Sequence, residues 1–222
     1  MPRTARASAG DCCYHIINRG NARAEVFHAD GDYQAFLNLL GQASQRLPMR
    51  ILAYCLMPNH FHLALWPYHD GDLSRWMQWL LTAQVRRYHT YHDSSGHIWQ
   101  GRFKAFPIEQ DAHLLTVLRY IEQNPVRASL APRAEEWRWS SARAWEHSGR
   151  SPRVDVGPVA RPEPWLDWVN GSMDEMEVQR VRQSVNRGAP FGSAVWTVVT
   201  AALLGLDASL RPIGRPQKLV ET

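Results

Sequence analysis

The stretch MPNHFHLALWP, residues 57–67, contains a turn signal, a strand pattern and two histidines separated by one residue. The Pro-Asn pair predicts a turn, and the residues after it predict a strand that the second proline ends. Side chains alternate along a strand, so the phenylalanine and leucines would share one face while His60 and His62 project from the other. The pair could be two polar residues facing solvent or two metal ligands, and their spacing alone leaves both interpretations open.

The pattern around this strand predicts the element order β-α-β-β-α-β-α. A β-α-β-β-α-β series is the split βαβ arrangement of ferredoxin-like folds, in which helices cover one face of an antiparallel sheet. The predicted fold class is therefore α+β, a ferredoxin-like core with an added helix and a small helical C-terminal extension. We predict strands at residues 12–18, 49–57, 60–66 and 97–109, and helices at residues 30–47, 72–92 and 112–124.

Composition divides the chain into three parts. We expect residues 10–146 to form the main domain, residues 147–170 a proline-rich linker, and residues 171–222 a small helical extension with a basic tail. The 222 residues are 45% hydrophobic, which is enough for a core and excludes an intrinsically disordered protein. The net charge of +4 gives weak support for a polyanionic partner.

Cysteine content and hydropathy favour the cytoplasm. The three cysteines, two of them adjacent, suit neither a disulfide framework nor a Cys-x-x-Cys metal site. The first residues are not followed by the apolar segment of a signal peptide, and no run of about 20 apolar residues could span a membrane. We therefore expect a cytoplasmic protein with no membrane partner.

The predicted helix at residues 112–124 ends in a second pair of interest. Tyr120 and Asn124 are four residues apart, so they lie one turn from each other on the same helical face. Taken singly, each has an ordinary explanation: a half-buried aromatic side chain, and a polar residue at a helix end before proline. Their combination with the histidine strand favours a shared site.

Four stretches of the sequence resemble motifs of a known family. They are NRGN at residues 18–21, MPNHFHLALWP at 57–67, GHIWQGRFKAFPIE at 96–109 and LRYIEQNPVRASL at 118–130. In this order and spacing they resemble the single-tyrosine HUH transposases, and in particular the REP-associated tyrosine transposases (RAYT) among the IS200-like enzymes. The resemblance extends over about residues 12 to 145 and implies the same ferredoxin-like fold that the pattern predicts.

The resemblance also implies a chemistry. Tyr120 corresponds to the nucleophile that forms a 5′-phosphotyrosine link with single-stranded DNA, and His60 and His62 correspond to two metal ligands. Asn124 corresponds to the polar residue that completes the metal site, where mobile-element members often carry glutamine. Mixed nitrogen and oxygen ligands suit Mg²⁺ or Mn²⁺. The implied substrates are short imperfect palindromes, the REP-like sequences, that form single-stranded DNA hairpins.

Basic residues within these motifs are the candidates for DNA binding. Single-strand binding needs cations along the backbone, although each arginine taken singly is more often an ordinary surface charge. A protein of this kind would be found at the nucleoid. The candidates are Arg19, Arg102, Lys104, Arg119 and Arg127.

Two other functions remain open at the level of sequence. The chain could be a catalytically quiet protein that binds DNA hairpins, or an unrelated metal hydrolase that uses the His-x-His pair and water. The first would bind hairpins without cutting them, and the second would not need Tyr120. The sequence leaves undecided whether the protein is a monomer or a homodimer.

Overall fold

The computed structural model describes residues 8–145 and 152–211. None of the helices in these ranges is long and apolar enough to cross a membrane. Four strands and seven α-helices make up the described fold. The strands are β1 (Cys13–Arg19), β2 (Arg50–Met57), β3 (His60–Trp66) and β4 (Lys104–Ile108). The helices are α1 (Asp30–Arg46), α2 (Asp72–His92), α3 (Ala112–Glu122), α4 (Asn124–Arg127), α5 (Trp165–Asn170), α6 (Glu175–Arg187) and α7 (Ala194–Leu203).

The strands form one antiparallel sheet in the order β2-β3-β1-β4. This order confirms the predicted ferredoxin-like arrangement. The histidine strand β3 is an inner strand, and in its register His62 lies opposite Cys55 on β2 and Ile17 on β1. Because both edges of β3 are hydrogen-bonded to neighbours, the strand is a more rigid scaffold for functional side chains than a loop would be.

One face of the sheet packs against α1 and α2. Phe61 and Leu63 of β3 are fully buried on this face, and the ring of Phe61 lies 5.1 Å from that of Phe36 on α1. Trp76 of α2 belongs to the same buried cluster. The alternation predicted for β3 is thus confirmed for its apolar side chains, whose removal from water is the main stabilising contribution on this face.

The opposite face of the sheet is covered by α3 and by segments that follow it in the chain. Small sheet residues such as Cys55 and Ala64 share a buried cluster with Leu118 and Ile121 of α3 and with Val169 of α5. The sheet therefore lies between two helical layers. The added helix predicted from the sequence packs on the face from which His60 and His62 project.

The proline-rich segment packs along the edge strand β2. The backbone N–H of Asp155 donates to the carbonyl of Ile51 (2.8 Å), and the N–H of Ile51 donates to a carboxylate oxygen of Asp155 (3.0 Å). Arg161 donates to the carbonyl of Leu52 at 2.6 Å, and α5 begins inside the range predicted as a linker. The segment thus satisfies backbone groups at a sheet edge that would otherwise be open. Nearly all of the predicted basic tail lies outside the described residues.

The strand predicted at residues 97–109 is shorter in the structure. Of residues 97–109, only those of β4 form a continuous ladder with β1, while Trp99 makes a single bridge to Gly20. The indole of Trp99 is 7% exposed, packs edge-on against Phe61 (5.2 Å between centroids) and donates to the side-chain oxygen of Gln84 at 3.1 Å. Because this large side chain is buried beneath the helices, the chain between it and β4 leaves the sheet.

Candidate active site

His60 and His62 are neighbours on the sheet face that α3 covers. Their ring centroids are 5.0 Å apart, and His62 is 2% exposed whereas His60 is partly exposed. Nδ1 of His60 lies 2.6 Å from the side-chain oxygen of Asn59, an oxygen that can only accept a hydrogen bond. His60 therefore donates through Nδ1 and keeps the lone pair of Nε2 for another partner.

Tyr120, in the last turn of α3, lies in the same site. Its side chain is 7% exposed, and its ring centroid is 5.9 Å from that of His62. The apolar residues of α3 on either side of Tyr120, Leu118 and Ile121, are buried against the sheet. The amphipathic pattern of α3 thus turns the tyrosine toward the histidine pair, although the two lie far apart in the chain.

Asn124 begins the short helix α4 and does not continue α3. The following residue, Pro125, cannot donate the backbone hydrogen bond that a continuous helix needs, and α3 ends at Glu122. The side-chain nitrogen of Asn124 donates to the carbonyl of Tyr120 at 3.1 Å. Within residues 8–145 and 152–211 the side-chain oxygen of Asn124 accepts no hydrogen bond.

The cluster contains a third histidine that the sequence prediction missed. His15 of β1 is 2% exposed, and its Nε2 lies 2.8 Å from Nδ1 of His62. Its ring centroid is 6.1 Å from that of Tyr120, so His15 contacts both predicted parts of the site. The only signal in the sequence is a histidine inside the largely apolar run CCYHIIN, and its meaning depends on the register between β1 and β3.

Burial keeps these imidazoles neutral. It lowers the pKa of His15 from its ordinary value of 6.5 to about 3. Burial, with a contribution from the Arg19 guanidinium, lowers the pKa of His60 to about 4. The pKa of His62 is well below its usual range, first because of burial and then because His60 and His15 lie beside it. Neutral imidazoles offer lone pairs to a metal ion at physiological pH.

A sequence model of the family described as IS200-like transposases matches residues 8–124, a range that contains the histidine pair, Tyr120 and Asn124. The chain belongs to this family. Over 142 residues it is 28% identical to a Haemophilus influenzae protein described as a candidate REP-associated tyrosine transposase, covering 59% of this chain and 74% of the relative. A solved structure of a REP-associated tyrosine transposase bound to a REP hairpin has the same fold, with a TM-score of 0.52, 20% identity, and coverage of 72% of this chain and 95% of the other.

Arg127 packs on the tyrosine of this IS200-like site. Its guanidinium lies over the ring of Tyr120, 4.1 Å from the centroid, and donates to the Tyr120 carbonyl and to the side-chain oxygen of Gln123 (3.0 Å). Burial lowers the pKa of Arg127. Arg127, one of the residues expected to bind DNA, thus lies against the tyrosine ring and is hydrogen-bonded to the end of the tyrosine helix.

Arg119 also has an internal position. It is 7% exposed, donates to the carbonyl of Ser172 at 3.1 Å, and stacks over the ring of Trp168 at 4.5 Å. The carbonyl of Ser172 and the indole of Trp168 therefore link Arg119, and with it the tyrosine helix, to the segment that follows the proline-rich residues.

The three remaining basic candidates lie at the open end of the site. Arg19 is paired in register with His60, and Lys104 is paired with Ile17, the neighbour of His62 across the sheet. Lys104 and Arg102 are exposed. Nε of Arg19 is buried and, among the described residues, has no hydrogen-bond partner. This arrangement places positive charge beside the histidines.

Metal-binding potential differs between two clusters. In the described ranges one group of three acidic or histidine side chains has its ligand atoms within 4.8 Å of one another, namely Glu109, Asp111 and His113. Local bonds account for this group, because Asp111 caps α3 and Glu109 accepts from Ser193 at 2.6 Å. The histidine pair with Asn124 offers two neutral nitrogens and one amide oxygen without a carboxylate. This donor set fits a loosely held Mg²⁺ or Mn²⁺ that takes further oxygen ligands from water and a phosphate.

Proposed function

We propose that this protein is a metal-dependent transesterase that cuts single-stranded DNA beside REP-like hairpins and can rejoin the ends. The observation that carries the proposal is the position of Tyr120, whose ring is 5.9 Å from His62 on the face that also holds His60. A nucleophile next to two neutral imidazoles suits phosphoryl transfer with a divalent cation, because the imidazoles can hold the cation beside the attacking oxygen.

The hydroxyl of Tyr120 is the proposed nucleophile. Its oxygen attacks the phosphorus, the bond from phosphorus to the 3′ oxygen breaks, and a 5′-phosphotyrosine link and a free 3′-hydroxyl result. One phosphodiester replaces another, so the step is readily reversible, and a held 5′ end can be passed to a different 3′-hydroxyl. Arg127, stacked on the Tyr120 ring, keeps the ring in place during the exchange.

The metal would be held by Nε2 of His60, His62 and the side-chain oxygen of Asn124. A bound Mg²⁺ or Mn²⁺ supplies positive charge that offsets the negative charge developing on the phosphate oxygens. The hydrogen bond from the Asn124 amide nitrogen to the Tyr120 carbonyl ties the third ligand to the residue that carries the nucleophile.

Binding of the DNA strand is assigned to Arg19, Arg102 and Lys104. Arg19 has a buried guanidinium nitrogen without a partner among the described residues, and it adjoins His60 in the register of the sheet. A phosphate bound by the Arg19 guanidinium would lie next to the metal ligands. The family membership and the description of the 28% identical relative support hairpins of REP-like palindromes as the substrate.

The deciding experiment uses hairpin oligonucleotides with single-stranded flanks and a fluorophore at the 3′ end, incubated with Mg²⁺ or Mn²⁺. A 5′-phosphotyrosine intermediate attaches the labelled fragment to the protein, so we expect a fluorescent band that survives denaturing electrophoresis. Tyr120→Phe should remove this band and leave hairpin binding intact. Arg138→Gln, far from the proposed site and paired with Asp30 at the surface, is the matched control and should keep the band.

The outcomes separate the competing functions. Binding without a covalent band under either metal would favour a catalytically quiet hairpin-binding protein. Cleavage that persists in Tyr120→Phe would favour a hydrolase that activates water. Either result would overturn the proposal.

A further inference from the structure

We infer that His15 is a positioning residue that holds His62 in the tautomer able to bind a metal through Nε2. The inference rests on the proposed function, because it concerns His62 as a metal ligand. His15 lies on the inner strand β1, beside the histidine strand, and its Nε2 is 2.8 Å from Nδ1 of His62.

The hydrogen bond between the two imidazoles determines which nitrogen of His62 is available. A neutral imidazole has one nitrogen that donates and one that accepts, so one ring must donate to the other. Nδ1 of His62 is occupied by His15, and the only nitrogen left for a metal is Nε2. Nε2 can bind a metal only if the proton is on Nδ1, which makes His62 the donor and Nε2 of His15 the acceptor.

His60 shows the same arrangement with a different acceptor. Its Nδ1 lies 2.6 Å from the side-chain oxygen of Asn59, which must be the acceptor in that bond. Both histidines of the pair therefore have Nδ1 bound by a neighbour and Nε2 left over. The two acceptors, Asn59 and His15, come from different places in the chain but leave the same atom of each ring free.

His15 is buried among aromatic rings, a place where a polar imidazole is costly. Its side chain is 2% exposed, and its ring lies 5.9 Å from Phe106 and 6.1 Å from Tyr120. An aliphatic side chain would fill such a place without the cost of burying polar nitrogens. Because His15 also stacks on His62, with centroids 5.0 Å apart and planes at 29°, it restricts the orientation of that ring as well as its tautomer.

The test compares two substitutions in the full-length protein, with Mn²⁺ alone as the probe and binding followed from the magnetic resonance signal of free Mn²⁺. His15→Leu removes the acceptor, and we expect Mn²⁺ affinity to fall about ten- to a hundredfold, the usual effect of losing a partner of a metal-binding histidine. His15→Gln places an amide oxygen near the position of Nε2 and should restore affinity to within a few fold. Phe106→Leu, which alters packing around His15 without touching the hydrogen bond, should leave Mn²⁺ affinity unchanged.

A second measurement reads the tautomer directly and does not depend on how the variants fold. In nitrogen NMR of the wild-type protein without metal, we expect His62 to carry its proton on Nδ1. A proton on Nε2, or equal Mn²⁺ affinity in wild type and in a folded His15→Leu, would overturn the inference.

A third variant, His62→Ala, distinguishes an error in the role of His15 from an error in the proposed metal site. If His62→Ala loses Mn²⁺ binding while His15→Leu keeps it, His62 is a ligand and only the role of His15 is refuted. If the wild type binds no more Mn²⁺ than His62→Ala, the proposed metal site is refuted, and the role of His15 with it.

Discussion

The two faces of the sheet use the same strands for different purposes. Apart from Asn18, the buried sheet residues that face α1 and α2 are apolar or aromatic, and they pack into one cluster. The face under α3 combines small apolar residues with three histidines. Its buried ring nitrogens therefore need hydrogen-bond partners in addition to packing contacts. Both faces are closely packed, but the face under α3 also buries histidine nitrogens that an apolar core would not contain. The contrast is sharpest at two consecutive residues, Phe61 and His62.

Among substitutions that compare the two faces of the sheet, the largest effect on function is expected from His62→Ala. Stabilisation of phosphoryl transfer by a metal is worth several kcal/mol, and each 1.4 kcal/mol corresponds to about a tenfold rate, so formation of the covalent adduct should slow at least about a thousandfold. The free energy of unfolding should fall by only about 1–3 kcal/mol, the cost of leaving His15 without its partner. Adduct kinetics and urea denaturation measure the two effects. An adduct rate close to wild type would contradict a functional role for this face.

Substitution of the adjacent residue, Phe61→Ala, should lower stability strongly and change the adduct rate little. Phe61 is fully buried, and its loss should lower the free energy of unfolding by about 3–5 kcal/mol. The adduct rate at a temperature where the variant is folded should stay within a few fold of wild type. Val195→Ala, at a position that is 77% exposed, is the control and should change stability by no more than about 0.5 kcal/mol.

A smaller effect is expected at Glu122, whose side chain links α3 to the later segments that cover the same face of the sheet. This fully buried carboxylate accepts from Ser141 Oγ and from Trp165 Nε1, both at 2.6 Å. Glu122→Gln removes the negative charge and one of the two acceptor oxygens, which weakens the charge-assisted hydrogen bonds, and should cost about 1–3 kcal/mol in urea denaturation. Glu136→Gln, at an exposed position, should leave stability unchanged. Equal stability of Glu122→Gln and wild type would show that the carboxylate is not needed to hold α3.

Substitutions of Arg19 and Arg119 compare an arginine proposed to bind DNA with one that stabilises the fold. Each phosphate contact on single-stranded DNA contributes about 0.7 to the slope of log affinity against log salt concentration, so Arg19→Gln should reduce the slope by about that amount. Arg119→Gln should leave the slope unchanged and instead lower the thermal midpoint, because the guanidinium is covered by the extension. Titrations of a labelled hairpin at several salt concentrations measure the slope. A reduced slope for Arg119→Gln would show that the extension moves aside when DNA binds.

The last prediction concerns the pH dependence of stability. The pKa of His60 in the folded protein is lowered from 6.5 to about 4, so the unfolded chain binds more protons between these values. The stability contribution is complete above pH 6.5 and is lost as the pH falls toward 4. His60→Gln should therefore lose less free energy of unfolding than wild type over this window, with His15 and His62 still contributing to both. Identical pH profiles in the two proteins would contradict the low pKa.

Local patterns predicted most of the architecture. The alternation in MPNHFHLALWP and the spacing of apolar residues in α1, α2 and α3 are properties of short segments, and the element order they imply is confirmed. β4 is the exception, because the prediction treated residues 97–109 as one strand while Trp99 is buried among the helices. Where a large aromatic residue packs depends on cavities that distant elements form.

The candidate site was predictable to a similar degree. His60, His62, Tyr120 and Asn124 follow from spacing and from resemblance, and the structure places the first three together. The placement of Arg119 was not predictable, because a helix has several faces and local spacing does not say which one a later segment will cover.

The sequence by itself determined which side chains could take part in chemistry and on which side of a strand each would lie, because both depend on neighbours within a few residues. The tertiary structure decided which of those side chains meet. Only the register between β1 and β3 brings His15 against His62, and only the packing of α3 on the sheet brings Tyr120 to the histidine pair. Contacts of this kind depend on long-range pairing, whose geometry is set by the whole core rather than by any one segment.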